Sequence, residues 1–235
     1  MASLIRRLRD RILLGLTKRA RLFPLLQRIR GKSTGTFCRP STDLCIEGYE
    51  SSANSFTFNV FRLLRPDLQI AHHTHSVANL KRARSYDVPT IILFRSPEEA
   101  IPSLVSRFRP GVHEAILRYV YFYGYVCTKT EDVFLVDFEE VTSEFANVVY
   151  RFESWSDFSF GSFDPDEVER KVIEHIETWT RERGREDVIS LPVEERERRK
   201  TKVREALEAS SYFREAKELF QQMRTSCQRQ NNLIE

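Results

Sequence analysis

The stretch that decides the fold is Ile46-Glu47-Gly48-Tyr49-Glu50-Ser51-Ser52-Ala53-Asn54-Ser55-Phe56, which joins an apolar strand to an apolar helix. A turn of small residues in this place directs backbone N–H groups at an anion, and the N-terminus of the helix adds a favourable partial charge. The composition therefore predicts a phosphate-binding turn. An ordinary strand-to-helix turn also favours Gly, Ser and Asn, so that interpretation stays open.

Outward from this turn, short apolar runs alternate with helical stretches, as is typical of parallel β-α-β units. The predicted strands are 44–48, 68–71, 90–94 and 133–136. The predicted helices are 53–64, 77–86, 97–107, 112–126, 141–153, 164–183 and 201–226. We therefore expect an α/β fold with a central parallel sheet of four or five strands flanked by helices.

A second segment, from Arg95 to Ser103, also leads from a strand into a helix. The predicted helix start consists of Ser96 as the N-cap, Pro97 at the first helical position and Glu99 as the acid of a capping box. Arg95 then follows the carboxyl end of a parallel strand, where ligands of open α/β sheets bind. Ser103 lies two helical turns beyond Ser96 on the same face of the helix. The Arg95 guanidinium and the Ser103 hydroxyl are therefore suited to hold a phosphate together. The alternative is a surface ion pair between Arg95 and Glu98 or Glu99.

Three histidines, His72, His73 and His75, stand at the end of the second predicted strand. Their number suggests a metal, but no nearby Cys or acidic residue completes a ligand set, and alternating residues of a strand point to opposite faces. We therefore expect no metal. Histidine at the carboxyl end of a strand is better suited to acid–base chemistry near neutral pH.

In this order and at these spacings, the three segments resemble the sulfotransferase family, which transfers a sulfuryl group from 3′-phosphoadenosine 5′-phosphosulfate to an alcohol or amine. The resemblance covers residues 44–153 and implies a P-loop-like, three-layer fold. It implies that the sulfuryl donor's 5′-phosphosulfate binds the first turn, through Gly48, Ser51, Ser52, Ala53, Asn54 and Ser55.

The same resemblance implies roles for the other two segments. Arg95 and Ser103 match the residues that bind the donor's 3′-phosphate, with Pro97 between them. Thr74-His75 matches the position of the catalytic histidine, and His73 matches a lysine two residues before it. The implied reaction needs no metal.

The sequence departs from the family pattern at Glu50 and Ser51, where the family has Pro followed by Arg or Lys. That cation contacts the leaving phosphate, and its loss costs on the order of 10²–10³ in rate. Glu50 is expected to repel the donor's phosphates. A candidate replacement is the late basic cluster of Arg196, Arg198, Arg199 and Lys200.

Two functions therefore remain open. The first is a working sulfotransferase with a small-molecule or glycan acceptor. The alternative is a catalytically weakened protein of the same fold that binds a nucleotide or associates with a membrane. Nothing in the sequence indicates nucleic acid as a partner.

The N-terminal arm, residues 1–32, differs from the rest in charge. It carries +9, which leaves −6 for the remainder of a chain with net charge +3. Its apolar residues recur at helical spacing, as in Leu4, Leu8, Ile12 and Leu16, so a basic amphipathic helix is predicted. Packing on the domain, peripheral contact with an anionic membrane, and an organelle-targeting presequence are the interpretations left open.

Length and composition favour one domain with appendages. We expect the arm at 1–32, a linker at 33–43 and the α/β domain, with a helical C-terminal part, at 44–235. The four cysteines form no C-x-x-C pair, which favours a reducing cytoplasm over zinc or disulfides. No apolar run approaches the ~20 residues that a membrane-spanning helix needs.

Overall fold

A parallel sheet of four strands forms the centre of the chain in the computed structural model, which describes residues 36–182, 184, 194–208 and 210–234, without the side chains of 194–199. The strands are β1 (Leu44–Gly48), β2 (Ile70–His72), β3 (Thr90–Phe94) and β4 (Phe134–Asp137). Their spatial order is β2-β1-β3-β4, and every pairing is parallel. The predicted α/β fold with a central parallel sheet is confirmed.

Within the described residues the strands are connected and flanked by nine α-helices and a short 3-10 helix, Thr130–Asp132. The helices are α1 (Asn54–Leu64), α2 (Val77–Ser85), α3 (Pro97–Phe108), α4 (Val112–Val126), α5 (Phe138–Ser143), α6 (Phe145–Trp155), α7 (Pro165–Glu182), α8 (Glu194–Leu207) and α9 (Ser211–Ile234).

The two faces of the sheet pack into two separate cores, because successive side chains of a strand point to opposite sides. Ile91 and Leu93 of β3 belong to a core that includes residues of α1, α6 and α7. Ile92 and Phe94 belong to the other, which includes residues of α3, α4 and α9. The result is a helix–sheet–helix arrangement of three layers.

The strand order places two loops side by side. The chain leaves β1 to form β2 on one side of it, and returns to form β3 on the other side. This reversal is a topological switch point, the place where open α/β sheets bind ligands. The turn after β1 and the residues after β3 therefore meet at one edge of the sheet.

Glycine is required at position 48, where β1 ends against β3. A Cβ atom there would lie 2.4 Å from the carbonyl oxygen of Leu93. The two strands would have to move apart to remove this clash. Their close approach therefore requires glycine at this position.

Several predicted boundaries were wrong, each for a local reason. β2 begins at Ile70 and ends at His72, whose backbone exchanges two hydrogen bonds with Thr36. The predicted helix 141–153 is two helices, α5 and α6, which meet at Glu144 with its non-helical φ of −143° and ψ of 44°.

The predicted helix 201–226 is also two helices. α8 begins at Glu194, before the predicted start at residue 201, because a helix that is polar around most of its circumference shows no apolar periodicity. Leu207 of α8 is buried, and Val203 packs against the same core.

The predicted helix starts differ in outcome. Asp164, directly before α7, accepts hydrogen bonds from the N–H groups of Asp166 and Glu167 and so caps that helix. Ser96 occupies the N-cap position of α3 and Pro97 follows it, but the Ser96 hydroxyl makes no capping bond. Glu99 does not complete a capping box, because Arg95 and Arg204 pair with its carboxylate.

Some predictions fall outside the described residues. They concern the helical arm at 1–32 and the side chains of Arg196, Arg198 and Arg199, so the membrane interpretation of the arm stays a prediction. Among the helices that are described, none combines the length and the apolar character needed to span a membrane.

Candidate functional site

The β1–α1 turn, residues 49–53, lies at the switch point and enters α1 without a side-chain cap. Ala53, the N-cap residue, has φ 63° and ψ 16°, and Ser51 has φ 69°. Left-handed residues in such a turn bring successive N–H groups to one side, which forms a concavity for an anion. Ser52 is fully buried beneath this turn.

Most backbone N–H groups of the turn and of the first residues of α1 have no hydrogen-bond acceptor within the described residues. The Tyr49 N–H donates to the Tyr123 hydroxyl at 3.1 Å. From Glu50 to Phe56, no backbone N–H donates to an acceptor in the described ranges. The side chain of Asn54 donates to the Tyr49 carbonyl at 2.8 Å, while its Oδ1, which is buried, has no partner there. The turn therefore has the unused N–H groups that an anion-binding turn requires, and phosphate binding stays a prediction.

Arg95 meets this turn from the end of β3. Its Nη1 donates to the Ser51 carbonyl at 3.2 Å, and its guanidinium lies 3.9 Å from the centre of the Phe138 ring. It also pairs with Glu99 at 3.6 Å, so the ion pair that sequence left as the alternative exists beside the contact with the turn. Only 18% of its side chain is exposed. The structure thus brings the first and second predicted segments together.

Arg107, which sequence reasoning missed, reaches the same turn from α3. Its Nη1 lies 3.4 Å from Ser51 Oγ. Ser103, which is buried, precedes it by four residues and so shares its face of the helix. That spacing was the signal in the sequence: a cation one turn beyond Ser103 points the same way as the hydroxyl predicted to bind phosphate.

Glu50 is paired with an arginine of another element. Its Oε1 accepts a hydrogen bond from Arg118 of α4 at 2.9 Å, and Arg118 also contacts Glu114 at 2.5 Å. One guanidinium thus balances part of the charge of two carboxylates, and the expected repulsion between Glu50 and the donor's phosphates stays a prediction. Arg118 is occupied by this role.

Three buried tyrosines fix the ends of β1 and β3. The hydroxyls of Tyr123, Tyr119 and Tyr49 donate to the carbonyls of Leu93 at 2.8 Å, Arg95 at 2.7 Å and Ala115 at 3.0 Å. Burial raises the pKa of all three phenols, so they remain protonated donors. These hydrogen bonds hold the backbone of Arg95 against α4.

Glu47, also missed from sequence, holds the histidine segment. It is fully buried, and its carboxylate accepts from the Thr74 N–H at 3.0 Å, the Thr74 hydroxyl at 2.6 Å, Asn79 at 2.8 Å and the His75 N–H at 2.9 Å. A charged residue within an otherwise apolar strand was the signal for it. Four donors on one buried carboxylate define the path of the chain from β2 to α2.

His75 is presented in one tautomer by this arrangement. Its Nδ1 lies 2.7 Å from the Gly48 carbonyl, which only accepts, so Nδ1 carries the proton. Nε2 is consequently the nitrogen with the lone pair, as a general base requires.

His73 and His72 are engaged elsewhere. His73 Nε2 lies 3.0 Å from the Ser55 hydroxyl, and its Nδ1 lies 2.6 Å from His72 Nδ1. Burial lowers the pKa of His73 to about 2, with smaller contributions from the charges of His75, His72 and Arg107. Burial and then Arg62 lower the pKa of His72 to about 4. Both rings are neutral at physiological pH, so His73 brings no positive charge to the position where the family has lysine.

Backbone strain is concentrated here. Six non-glycine residues in the described ranges have positive φ, and four of them, Ser51, Ala53, His73 and His75, belong to this site. Such conformations cost about 1–2 kcal/mol each and persist where the surroundings impose them. No group of three or more His, Cys, Asp or Glu among the described residues is arranged to hold a metal ion.

Comparison with known proteins gives a limited result. No family model matches this sequence, and no curated protein matches it. Among solved structures, the chain is similar to mouse sulfotransferase SULT7A1 complexed with PAP, with 13% identity and a TM-score of 0.43 over 78% of this chain and 89% of that chain. This likeness assigns no residue roles and no substrate.

Proposed function

We propose that this chain binds 3′-phosphoadenosine 5′-phosphosulfate at the edge where β1 and β3 end, and transfers its sulfuryl group to an alcohol or amine. The observation that carries the proposal is the meeting of three features at one place. They are a turn with unused N–H groups, two guanidinium groups on that turn, and a histidine with a free basic nitrogen.

The residues present fit a donor with two anionic ends. The N–H groups from Ser51 to Phe56 and the positive end of α1 suit the 5′-phosphosulfate. Arg95 and Ser103, on the neighbouring element, suit the 3′-phosphate, because charge-assisted hydrogen bonds from Arg to phosphate are strong and directional.

His75 would act as the general base. Its Nε2 takes the proton of the acceptor's hydroxyl or amine while the acceptor atom bonds to sulfur. The bond from sulfur to the bridging oxygen breaks, and its electron pair stays on the departing phosphate. The Gly48 carbonyl, which accepts from Nδ1–H, stabilises the imidazolium that forms.

The alternative, a protein that binds the nucleotide without transferring sulfate, is favoured by one observation. The β1–α1 turn carries no Arg or Lys of its own, and the neutral His73 does not replace it. Binding of adenosine 3′,5′-bisphosphate without sulfuryl transfer would support this alternative.

The test begins with binding. Isothermal titration with adenosine 3′,5′-bisphosphate should show saturable binding, and Arg95→Ala should weaken it by about 1.5–3 kcal/mol, the range for hydrogen bonds to charged groups. The same substitution should change the binding of adenosine 5′-monophosphate, which lacks the 3′-phosphate, much less. Arg170→Ala is the matched control, because Arg170 is exposed on α7, where it pairs with Glu174.

Transfer is measured next, with sulfur-labelled donor and a panel of alcohols and amines. Labelled product from the wild type, and none from Arg95→Ala at a low donor concentration, is the expected result. Absence of bisphosphate binding by the wild type contradicts the proposed function. Unchanged affinity in a folded Arg95→Ala protein refutes the role of Arg95.

A further inference from the structure

Arg107 reaches the turn at Ser51, the position where the family that the sequence resembles has its cation. The family has Arg or Lys where this chain has Ser51, and Ser51 Oγ lies 3.4 Å from Arg107 Nη1. A short side chain at position 51 leaves room for a guanidinium that arrives from α3. A cation is therefore present beside the turn although the turn does not encode one.

A second observation places the same guanidinium towards the histidines. Its charge is one of the causes that lower the pKa of His73, and His73 in turn contacts Ser55 at 3.0 Å. The ring centres of His73 and His75 are 5.8 Å apart. Arg107 thus contacts the β1–α1 turn, and its charge also acts on His73, whose ring neighbours that of His75.

The other described cations near the turn do not contact the Ser51 side chain, although Arg95 donates to the Ser51 carbonyl. Arg118 is paired with Glu50 and Glu114. Arg95 is paired with Glu99 and stacked on Phe138. Arg204 of α8 contacts Glu99. None of these contacts involves the Ser51 side chain, whereas the contact of Arg107 does.

We propose that Arg107 supplies the positive charge that Ser51 does not, and that it binds the phosphate group which leaves when the sulfuryl group is transferred. The proposal rests on the function proposed above and assigns it a catalytic residue from a helix instead of the turn. As the bond between sulfur and the bridging oxygen breaks, negative charge grows on that phosphate, and a fixed guanidinium there stabilises the transition state.

The experiment compares Arg107→Ala and Arg107→Lys with a relocated cation, Ser51→Arg, tested alone and combined with Arg107→Ala. Arg107→Ala should lower turnover by about 10²–10³, the usual effect of losing one preorganised charge. Arg107→Lys should retain more activity than Arg107→Ala. Ser51→Arg should raise the activity of the Arg107→Ala protein but not that of the wild type, where the two guanidinium groups would compete for one space.

Each outcome is informative. If the wild type transfers sulfate and folded Arg107→Ala does so equally well, the role of Arg107 is overturned and the proposed function stands. If Arg107→Ala does not fold, by circular dichroism, then Arg107→Lys and the double variant decide: rescue supports the role, and its failure in a folded double variant opposes it.

If the wild type binds no adenosine 3′,5′-bisphosphate, the proposed function fails, and inorganic pyrophosphate becomes the probe. Binding of pyrophosphate by the wild type and at least tenfold weaker binding by Arg107→Ala would keep Arg107 as the cation of the turn. Equal binding by the two proteins, or none by either, would overturn that as well. Arg170→Ala again serves as the control for loss of one positive charge.

Discussion

At the scale of single residues, the site is defined by which charges neutralise one another. The identity of Glu50 alone suggested a repulsive carboxylate beside the donor, but Arg118 of another element pairs with it and with Glu114. Arg107 likewise contributes a cation that no local motif contains. Local sequence predicts what a side chain is, whereas its charge balance depends on residues brought in by tertiary packing.

The first residue-scale prediction concerns His75. His75→Ala should lower turnover by about 10²–10⁴, the usual contribution of general acid–base catalysis. Binding of adenosine 3′,5′-bisphosphate should change little, since the proposed role of His75 is with the acceptor and its Nδ1 contacts only the Gly48 carbonyl. Steady-state kinetics and titration on the same preparation measure both quantities.

His73→Gln is the comparison for that variant, because glutamine retains a hydrogen-bonding group for Ser55. It should reduce turnover far less than His75→Ala does. Should His73 be indispensable and His75 dispensable, the assignment of the base is wrong.

The second residue-scale prediction concerns Glu47. Glu47→Gln removes the buried charge and places an amide N–H₂ among four donors, so some of them lose their acceptor. Three of the donors bind Oε1 and the His75 N–H binds Oε2, so at least one buried donor loses its acceptor, and the free energy of unfolding should fall by about 1–3 kcal/mol. Urea denaturation measures it.

Glu174→Gln controls for the change of charge, since 71% of the Glu174 side chain is exposed. It should leave the unfolding midpoint unchanged. An equally small effect of Glu47→Gln would show that the four hydrogen bonds are not what holds residues 73–75 in place.

At the scale of elements, the sequence predicted most of the sheet and its helices. β1, β3 and α4 have the predicted bounds. Each is a largely apolar run that is bounded by Gly, Pro or polar residues. The sequence did not predict that α5 and α6 are separate helices, because the spacing of apolar residues continues across Glu144. It did not predict the start of α8, because that helix has few apolar residues. Parallel topology alone predicts that the Arg95 and His75 segments lie at one edge of the sheet. It does not predict that Glu47 and Arg107 contact them, because those contacts depend on tertiary packing.

The element-scale prediction concerns the contact of β1 with β3. Gly48→Ala places a methyl group 2.4 Å from the Leu93 carbonyl oxygen, so the strands must separate. We expect a loss of about 1–3 kcal/mol in the free energy of unfolding, the usual cost of overpacking, together with weaker binding of adenosine 3′,5′-bisphosphate.

Gly124→Ala is the matched control because it makes the same chemical change inside α4. Its Cβ would meet only Leu219 Cδ1, at 4.0 Å. Alanine is favoured over glycine within a helix, so this variant should be more stable by about 0.5–1 kcal/mol. Equal effects of the two substitutions would contradict the role of close strand packing.

At the scale of the whole molecule, the buried histidines make stability depend on pH. An imidazole in the unfolded chain has a pKa near 6.5, whereas His72 and His73 have pKa values of about 4 and about 2 in the folded protein. Above pH 6.5 neither state binds these protons, so the pair adds no pH dependence. Below it only the unfolded state is protonated, and the free energy of unfolding falls by about 1.4 kcal/mol per pH unit for each histidine.

Urea denaturation between pH 6 and pH 5, where few carboxylates titrate, measures this slope. His73→Gln should remove about half of the contribution of the pair. Arg170→Ala, which removes an exposed charge of α7 that does not titrate in this range, should retain the wild-type slope. A His73→Gln protein with an unaltered slope would show that His73 is protonated in the folded state.

The left-handed residues of the site have a consequence for the kinetics of binding. Ser51 and Ala53 already hold the turn in the conformation that presents its N–H groups, at a cost borne on folding. An anion that arrives therefore has no loop to order, and association is limited by encounter and electrostatic steering, with salt slowing it. Replacing both residues by glycine would relieve strain and make the folded protein more stable, but would let the turn sample other shapes. The ligand would then leave sooner, because the turn would no longer be held in place around it.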